Sequence, residues 1–337
     1  MSGAGYVQPK AAWQVTMDGK DLTSALRPLL IGLKLDEATD EKADKLEITL
    51  RDDGTVALPP EGAVLTVSLG WARGTGVSVG LIAKGTFKVD DVAWDGPPDQ
   101  ICISAHSADF VGSFRKRKNK GWHGKTLGAI VAEVAAANSL TGKCHADLAA
   151  TTVTSAEQAH KSDMQFLRDL GRRYDAVATI KGGTLIFAPK DATTTVNGAT
   201  IPTMVITRGK GDRVSYKRSA REAEHDGAEA QYFHTGTGKR VTVGAGGSKR
   251  RRMKRIYASH EDASAAASAQ AKRQARKKAT FSVTLARGDA NLSAGFKASV
   301  SGFKSEIDAK AWRIASITHH INGSDGFRTD LELQVAG

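Results

Sequence analysis

Gln158–Pro189 reads QAHKSDMQFLRDLGRRYDAVATIKGGTLIFAP, and its changing periodicity decides what kind of fold surrounds it. Ser162 and Gln165 have the Ser-x-x-Gln spacing of a capping box, in which two orphan N–H groups at a helix start are satisfied reciprocally. Met164, Phe166, Leu167, Leu170 and Tyr174 then share one helical face, while Arg168, Asp169, Arg172 and Arg173 lie mostly off it, so the spacing predicts a helix over 163–174. Strands at Val177–Ile180 and Leu185–Ala188 follow, joined by Lys181-Gly182-Gly183-Thr184. A Gly-Gly pair suits a tight turn because glycine tolerates positive φ, which predicts a hairpin over 177–188. The stretch is a capped helix docked on a hairpin, with no side chain of catalytic character.

The rest of the chain is built around more strand than helix. Trp13–Met17, Leu29–Leu35, Leu46–Leu50, Val64–Leu69, Phe87–Trp94 and Ile101–Ile103 read as short strands separated by turn residues, after a flexible start at Met1–Ala12. That spacing suggests a small barrel or sandwich over 1–110. A central α/β module over 111–200 begins with a basic loop, Arg115–Lys120. A helix over about 126–138 follows, with Thr126 as N-cap, Leu127, Ile130, Val131 and Val134 on one face, and Asn138 as the stop. Over 201–337, strands at Met204–Thr207, Arg213–Lys217 and Arg221–His225 lead into a Gly-rich and basic loop over 236–255, expected to be mobile or ordered by a partner. An Ala-rich helix over about 259–277 comes next, acidic at its start (Glu261, Asp262) and basic at its end (Arg273, Arg276, Lys277), as its dipole favours. Its alanines suit close packing on a flat surface. Strands at Phe281–Ala286, Gly295–Val300, Trp312–Ile317 and Thr329–Val335 close the chain.

This last segment repeats the first in order. Val64–Gly70 resembles Phe296–Gly302; Phe87, Val89 and Val92 correspond to Trp312, Ile314 and Ile317; Ile101 and Ile103 correspond to Leu331 and Leu333. The expected class is a β-rich α+β fold, with two similar small barrels flanking the central module and the Ala-rich helix preceding the last barrel segment.

Composition limits function. At 337 residues, 40% apolar with eight prolines, the chain can bury two or three cores. Cys102 and Cys144 form no Cys-x-x-Cys pair, which speaks against a disulfide scaffold or zinc ribbon and fits a reducing cytoplasm. Met1–Trp13 lacks the apolar core of a signal peptide, and no run is long enough to span a membrane. The net charge of +12 is concentrated in Arg115–Lys120, Lys249–Arg255 and Lys272–Lys278, which hold 16 of the 48 basic residues. Such runs are either solvated faces or phosphate-backbone contacts.

No catalytic constellation stands out. Gly124-Lys125-Thr126 lacks the first glycine of a phosphate loop, since Asn119 occupies that place. His319 and His320 are adjacent on a strand and point to opposite faces, so they do not chelate one ion together. His260-Glu261 lacks a zincin's second histidine, Gly-x-Ser-x-Gly is absent, and Asp90-Asp91 reads as a turn or interface pair. The expectation is a protein without catalytic activity, metal or cofactor.

Ser162-Asp163-Met164-Gln165-Phe166-Leu167, followed by Gly183-Thr184-Leu185-Ile186-Phe187, resembles a motif of the phage late control protein D family, the hub of contractile phage tails. Gly288–Gly295 resembles its lead into a second barrel. Trp312-Arg313-Ile314 with Ile317-Thr318-His319, then Gly326-Phe327-Arg328-Thr329-Asp330-Leu331, resemble its closing motifs. The resemblance covers roughly 10–335 and marks Ser162, Asp163, Phe166, Leu167, Gly183, Leu185, Phe187, Gly295, Trp312, Ile314, His319, Thr329 and Leu331 as family positions. It implies tail-tube-like barrels in a homotrimer that joins a sixfold tail tube to a threefold central spike, in a baseplate assembled in the host bacterial cytoplasm and carried in the virion. Tube, spike and other baseplate proteins are the implied partners. Type VI secretion spike proteins look similar in their N-terminal part but continue into a long β-helix, so the spike is expected here on a separate polypeptide. Arg115, Lys116, Arg117, Lys118, Lys249, Arg250, Arg251, Arg252, Lys254 and Arg255 are then candidates for facing passing DNA or tape measure, or for meeting acidic neighbours. The competing expectation is a basic nucleic-acid-binding protein that uses the three runs, although no DNA-binding motif accompanies them.

Overall fold

The computed structural model describes residues 5–39, 43–107, 114, 116–219, 224–322 and 326–336. The first segment contains β1 (Lys10–Met17), β2 (Lys20–Asp21), α1 (Thr23–Leu26), β3 (Leu30–Ala38), β4 (Lys45–Arg51), β5 (Val64–Arg73), β6 (Gly80–Asp95) and β7 (Gln100–Ser107). The middle contains β8 (Arg117–Thr126), α2 (Leu127–Ala136), β9 (Thr141–Cys144), α3 (Ala146–Ala149), β10 (Thr152–Ser162), α4 (Asp163–Tyr174), β11 (Ala176–Lys181) and β12 (Thr184–Pro189). The last contains β13 (Thr203–Thr207), β14 (Gly211–Arg218), β15 (Gly227–His234), β16 (Lys239–Gly246), β17 (Arg250–Tyr257), α5 (His260–Lys277), β18 (Ala279–Leu285), β19 (Lys297–Ser301), α6 (Ser305–Asp308), β20 (Trp312–Asn322) and β21 (Gly326–Val335). The fold is β-rich.

Thirteen strands from the two ends of the chain form one hydrogen-bonded sheet, ordered β14-β18-β21-β20-β3-β4-β7-β6-β5-β1-β2, with β19 on β20 and β13 on β19. The join is β20 on β3, antiparallel, with Ile317 opposite Glu37, His319 opposite Leu35 and Ile321 opposite Leu33. β20 therefore has two jobs. Trp312, Ile314 and Ile317 pack with Phe281, Val283, Val300, Leu331 and Leu333 in one core. Ile321 and, from β21, Phe327 pack with Leu33, Leu35, Ile48, Val67 and Phe87 in another.

The internal repeat is written in the hydrogen bonds. Gly62 N–H donates to the Val89 carbonyl, and Gly295 N–H donates to the Ile314 carbonyl. Both glycines have positive φ, 80° and 93°, which a Cβ would strain. A bulge follows Val89 where β6 pairs with β7, and another follows Ile314 where β20 pairs with β21. Val92 then faces Ile103, as Ile317 faces Leu331. The expected correspondences shift accordingly: Ile103 matches Leu331 and Ala105 matches Leu333, two residues from the alignment read in the sequence. A two-residue slip keeps every side chain on its face, so apolar alternation cannot reveal it. Likewise Leu65, opposite Phe87, matches Ala298, opposite Trp312, one residue from the expected pairing.

Two expected loops are strands. β8 occupies Arg117–Lys120 of the first basic run and pairs antiparallel with β10, Lys120 opposite Gln158 and Lys118 opposite Lys161; Arg115 lies outside the described residues. β16 and β17 occupy most of the Gly-rich and basic stretch 236–255, on either side of β15. The centre of that sheet's inner face is small: Ala230 is fully buried against Ala263, Ala266 and Ala267 of α5, with Tyr232, Val243, Met253 and Tyr257 packed around them. Small residues where helix and sheet meet permit the close packing that the Ala-rich helix requires, and the glycines and the basic run around them obscure the strand signal. β1 begins at Lys10, inside the expected flexible start, because Ala11 to Met17 pair with Trp71 to Leu65. Of the strand expected at Arg221–His225, 221–223 lie outside the described residues, and Glu224 and His225 are not in a strand.

Candidate interaction surfaces

The helix–hairpin stretch forms where its spacing placed it. Ser162 caps α4, its Oγ accepting from Gln165 N–H at 3.2 Å. The expected reciprocal half of the capping box is not found among the described residues: the Gln165 amide turns along the helix and donates to Asp169 Oδ1 at 3.0 Å. Asp163, in the first helical turn, is buried and accepts from Lys118 Nζ (2.7 Å), Asn138 Nδ2 (2.8 Å) and Gln158 Nε2 (2.8 Å). Burial alone would raise its carboxyl pKa. The three bonds outweigh that and hold it below the usual value. The carboxylate thus ties together β8, the end of α2, β10 and α4. Phe166 stacks on Trp122 with centroids 5.4 Å apart. Leu167, Leu185 and Phe187 are fully buried beside them. Gly182 and Gly183 make the hairpin turn with φ of 53° and 72°. Each polar group here supports packing, and none is presented to solvent as a reactive centre.

The second set of family positions lies on β20 and β21. Trp312 is buried and donates Nε1–H to the Ile307 carbonyl at 2.9 Å. Ile314, Leu331 and Thr329 are buried. Thr329 Oγ1 accepts from Asp289 N–H and lies 2.9 Å from His319 Nδ1. Burial, reinforced by the charges of Lys84 and His320, pushes the His319 pKa down to about 2, so the ring is neutral. His320, on the other face, lies 3.1 Å from Asp330. The two histidines are separated as adjacent strand residues must be. Among the described residues, no cluster of three or more His, Cys, Asp or Glu is arranged to hold a metal ion, and no helix is long and apolar enough to cross a membrane.

The exposed chemistry is charge. Lys116 and Arg117 at the start of β8 are exposed, whereas Lys118 is partly buried on Asp163. Lys249, Arg250, Arg251, Arg252, Lys254 and Arg255 are exposed on and before β17; Arg252 pairs with Glu229 at 2.6 Å. A cleft beside this strand is lined by Arg172, Arg251, Arg255, Tyr257 and Arg273. Arg173 of α4 also lines the cleft and forms a buried pair between helices: it lies 3.3 Å from Asp262 of α5, which also accepts from the Tyr174 hydroxyl at 3.0 Å. Burial beside that carboxylate raises the Tyr174 pKa to about 12. Sequence patterning located these charges but not the strands that align them, because arginine runs carry no apolar alternation.

Comparison with known proteins agrees with this geometry. Residues 45–325 match the family model described as phage tail baseplate hub (GPD). A probable baseplate hub protein of Escherichia phage 186 is 35% identical, over 96% of this chain and 92% of that protein. The 43 kDa tail protein of prophage MuSo2 from Shewanella oneidensis shares the fold with a TM-score of 0.67 at 12% identity, over 95% of this chain and 97% of that one. The E. coli c3393 protein, described as a component of the type VI secretion system, shares it with a TM-score of 0.59 at 10% identity, over 96% of this chain and 77% of that one. With most of its length matched and both ends of the chain woven into one sheet, the protein belongs to the phage tail baseplate hub family, a family of structural proteins of the baseplate.

Proposed function

We propose that this hub protein is a trimeric adaptor that carries the sixfold tail tube on one face and the threefold central spike on the other. The internal repeat supports this: two like units per chain, at 1–110 and 201–337 around the module at 111–200, become six in a trimer. Sixfold and threefold neighbours can then meet on one molecule. The family positions, Ser162 in the central module and Trp312 in the second unit among them, hold the fold in shape rather than touch partners. The partners are two further copies, the tube protein, the spike and adjoining baseplate proteins, with assembly in the host cytoplasm before incorporation into the virion. The basic residues of β8 and β17 offer a contact for acidic neighbours or passing DNA, and the exposed row Arg250–Arg255 also keeps a nucleic-acid-binding reading in play.

Light scattering of the chain alone and with the co-expressed spike, at low and high salt, tests the proposal. A trimer that survives high salt is expected. A monomer that ignores the spike but binds duplex DNA in a salt-sensitive way would favour the nucleic-acid reading.

A further inference from the structure

The joint that unites the two repeats within one chain has its two halves present a second time, unpaired. β3 lies between β4 and the C-terminal half of β20. Its equivalent in the second repeat follows from the ladders. Leu35 faces Leu46, which faces Ala105; Tyr216 faces Phe281, which faces Leu333. Ala105 and Leu333 are equivalent, so β14 is the counterpart of β3 and Tyr216 that of Leu35. β14 pairs with β18 on one side and ends the sheet on the other. The counterpart of Ile314 is Val89, so the counterpart of the β20 half that meets β3 is Asp91–Asp95 of β6, with Trp94 at the place of His319. That stretch pairs with β7 only, since β5 reaches no further along β6 than Lys88. Both edges are open among the described residues.

We propose that β14 of one copy pairs antiparallel with Asp91–Asp95 of a second copy, in the register the chain already uses between β3 and β20. The proposal rests on the trimeric reading above and specifies its interface. Transferring the register sets Tyr216 opposite Trp94, Lys217 opposite Ala93 and Ser215 opposite Asp95. Charge follows the same register. Asp91 and Asp95 flank Ala93 on one face of their strand, so Lys217 is seated between two carboxylates. All three are exposed, and none has an ion-pair partner among the described residues. Trp94, 53% exposed in the single chain, gains an aromatic neighbour, whereas His319 and Leu35 at the equivalent place within the chain are fully buried. A trimer then has six like joints, three within chains and three between them. Pairing also removes two open strand edges, which otherwise invite indiscriminate association.

Cysteine cross-linking tests the register. In a Cys102→Ser, Cys144→Ser background, Ser215→Cys with Asp95→Cys brings two thiols within disulfide range across facing strands. Oxidation is expected to give a covalent trimer that reduction dissolves. Ser215→Cys with Trp94→Cys, on opposite faces, is expected to give none. Lys217→Glu is expected to weaken self-association roughly tenfold, and Asp91→Lys with Asp95→Lys to restore it. A trimer by light scattering with no 215–95 cross-link and no charge effect would overturn the joint and leave the trimer standing. Persistent monomers would overturn both. Cross-linked ladders beyond three copies would uphold the joint and overturn the trimer.

Discussion

His319 shows how a residue that invites a functional label can be explained by packing. Its ring is completely buried against Phe327, with centroids 5.6 Å apart, and makes one polar contact, to Thr329. The fold holds it neutral, with its pKa depressed to about 2, while the unfolded chain takes up a proton near pH 6.5. Unfolded molecules therefore bind the extra proton below that value, and stability falls with falling pH. The His319 contribution is complete above about pH 6.5 and declines by about 1.4 kcal/mol per pH unit below it. Urea denaturation between pH 7 and pH 5 is expected to show this slope in the native protein and a shallower one in His319→Gln. Equal slopes would place the acid sensitivity elsewhere.

Among elements, α5 is the one whose environment its sequence least disclosed. Its alanines promised a flat partner, and the partner is the sheet β15–β17, whose glycines and basic run obscured it in the sequence. The charge pattern at its ends was legible, and the structure adds the cap: Ser259 Oγ accepts from Asp262 N–H at 3.2 Å. What periodicity could not show is that the Asp262 carboxylate reaches 88 and 89 positions back along the chain to Tyr174 and Arg173. Removing one member of a buried pair strands the other, so Asp262→Ala is expected to cost about 3–5 kcal/mol. Hydrogen exchange should show α5 and β15–β17 opening before the rest of the molecule. Uniform loss of protection would mean that this unit is not separately held. The same contrast runs through the chain. The capped helix at 163–174 and its Gly-Gly hairpin were read correctly because cap, period and turn residues all agree there. β8, β16 and β17 were not, because their pairing is determined by distant partners and not by their own composition.

At the scale of the whole molecule, order of synthesis acquires a meaning. β3 emerges early, but the strand that covers its open edge arrives near the end: Thr39 hydrogen-bonds Ala315 across 276 positions. Until β20 and β21 emerge, the first repeat lacks both the pairing of β3 and the Phe327 and Ile321 side chains that complete its core. Such a long-range closure is slow and leaves the half-made unit exposed. Nascent chains halted at Lys310 are expected to exchange the amides of Leu33 and Leu35 freely and to recruit chaperones, both effects ceasing once Val335 has emerged. Fast protection of those amides in the halted chain would show that the first repeat matures alone. On the trimeric reading proposed above, the β3–β20 seam would also act as a checkpoint on translation: an unfinished chain has no closed first unit to offer a ring.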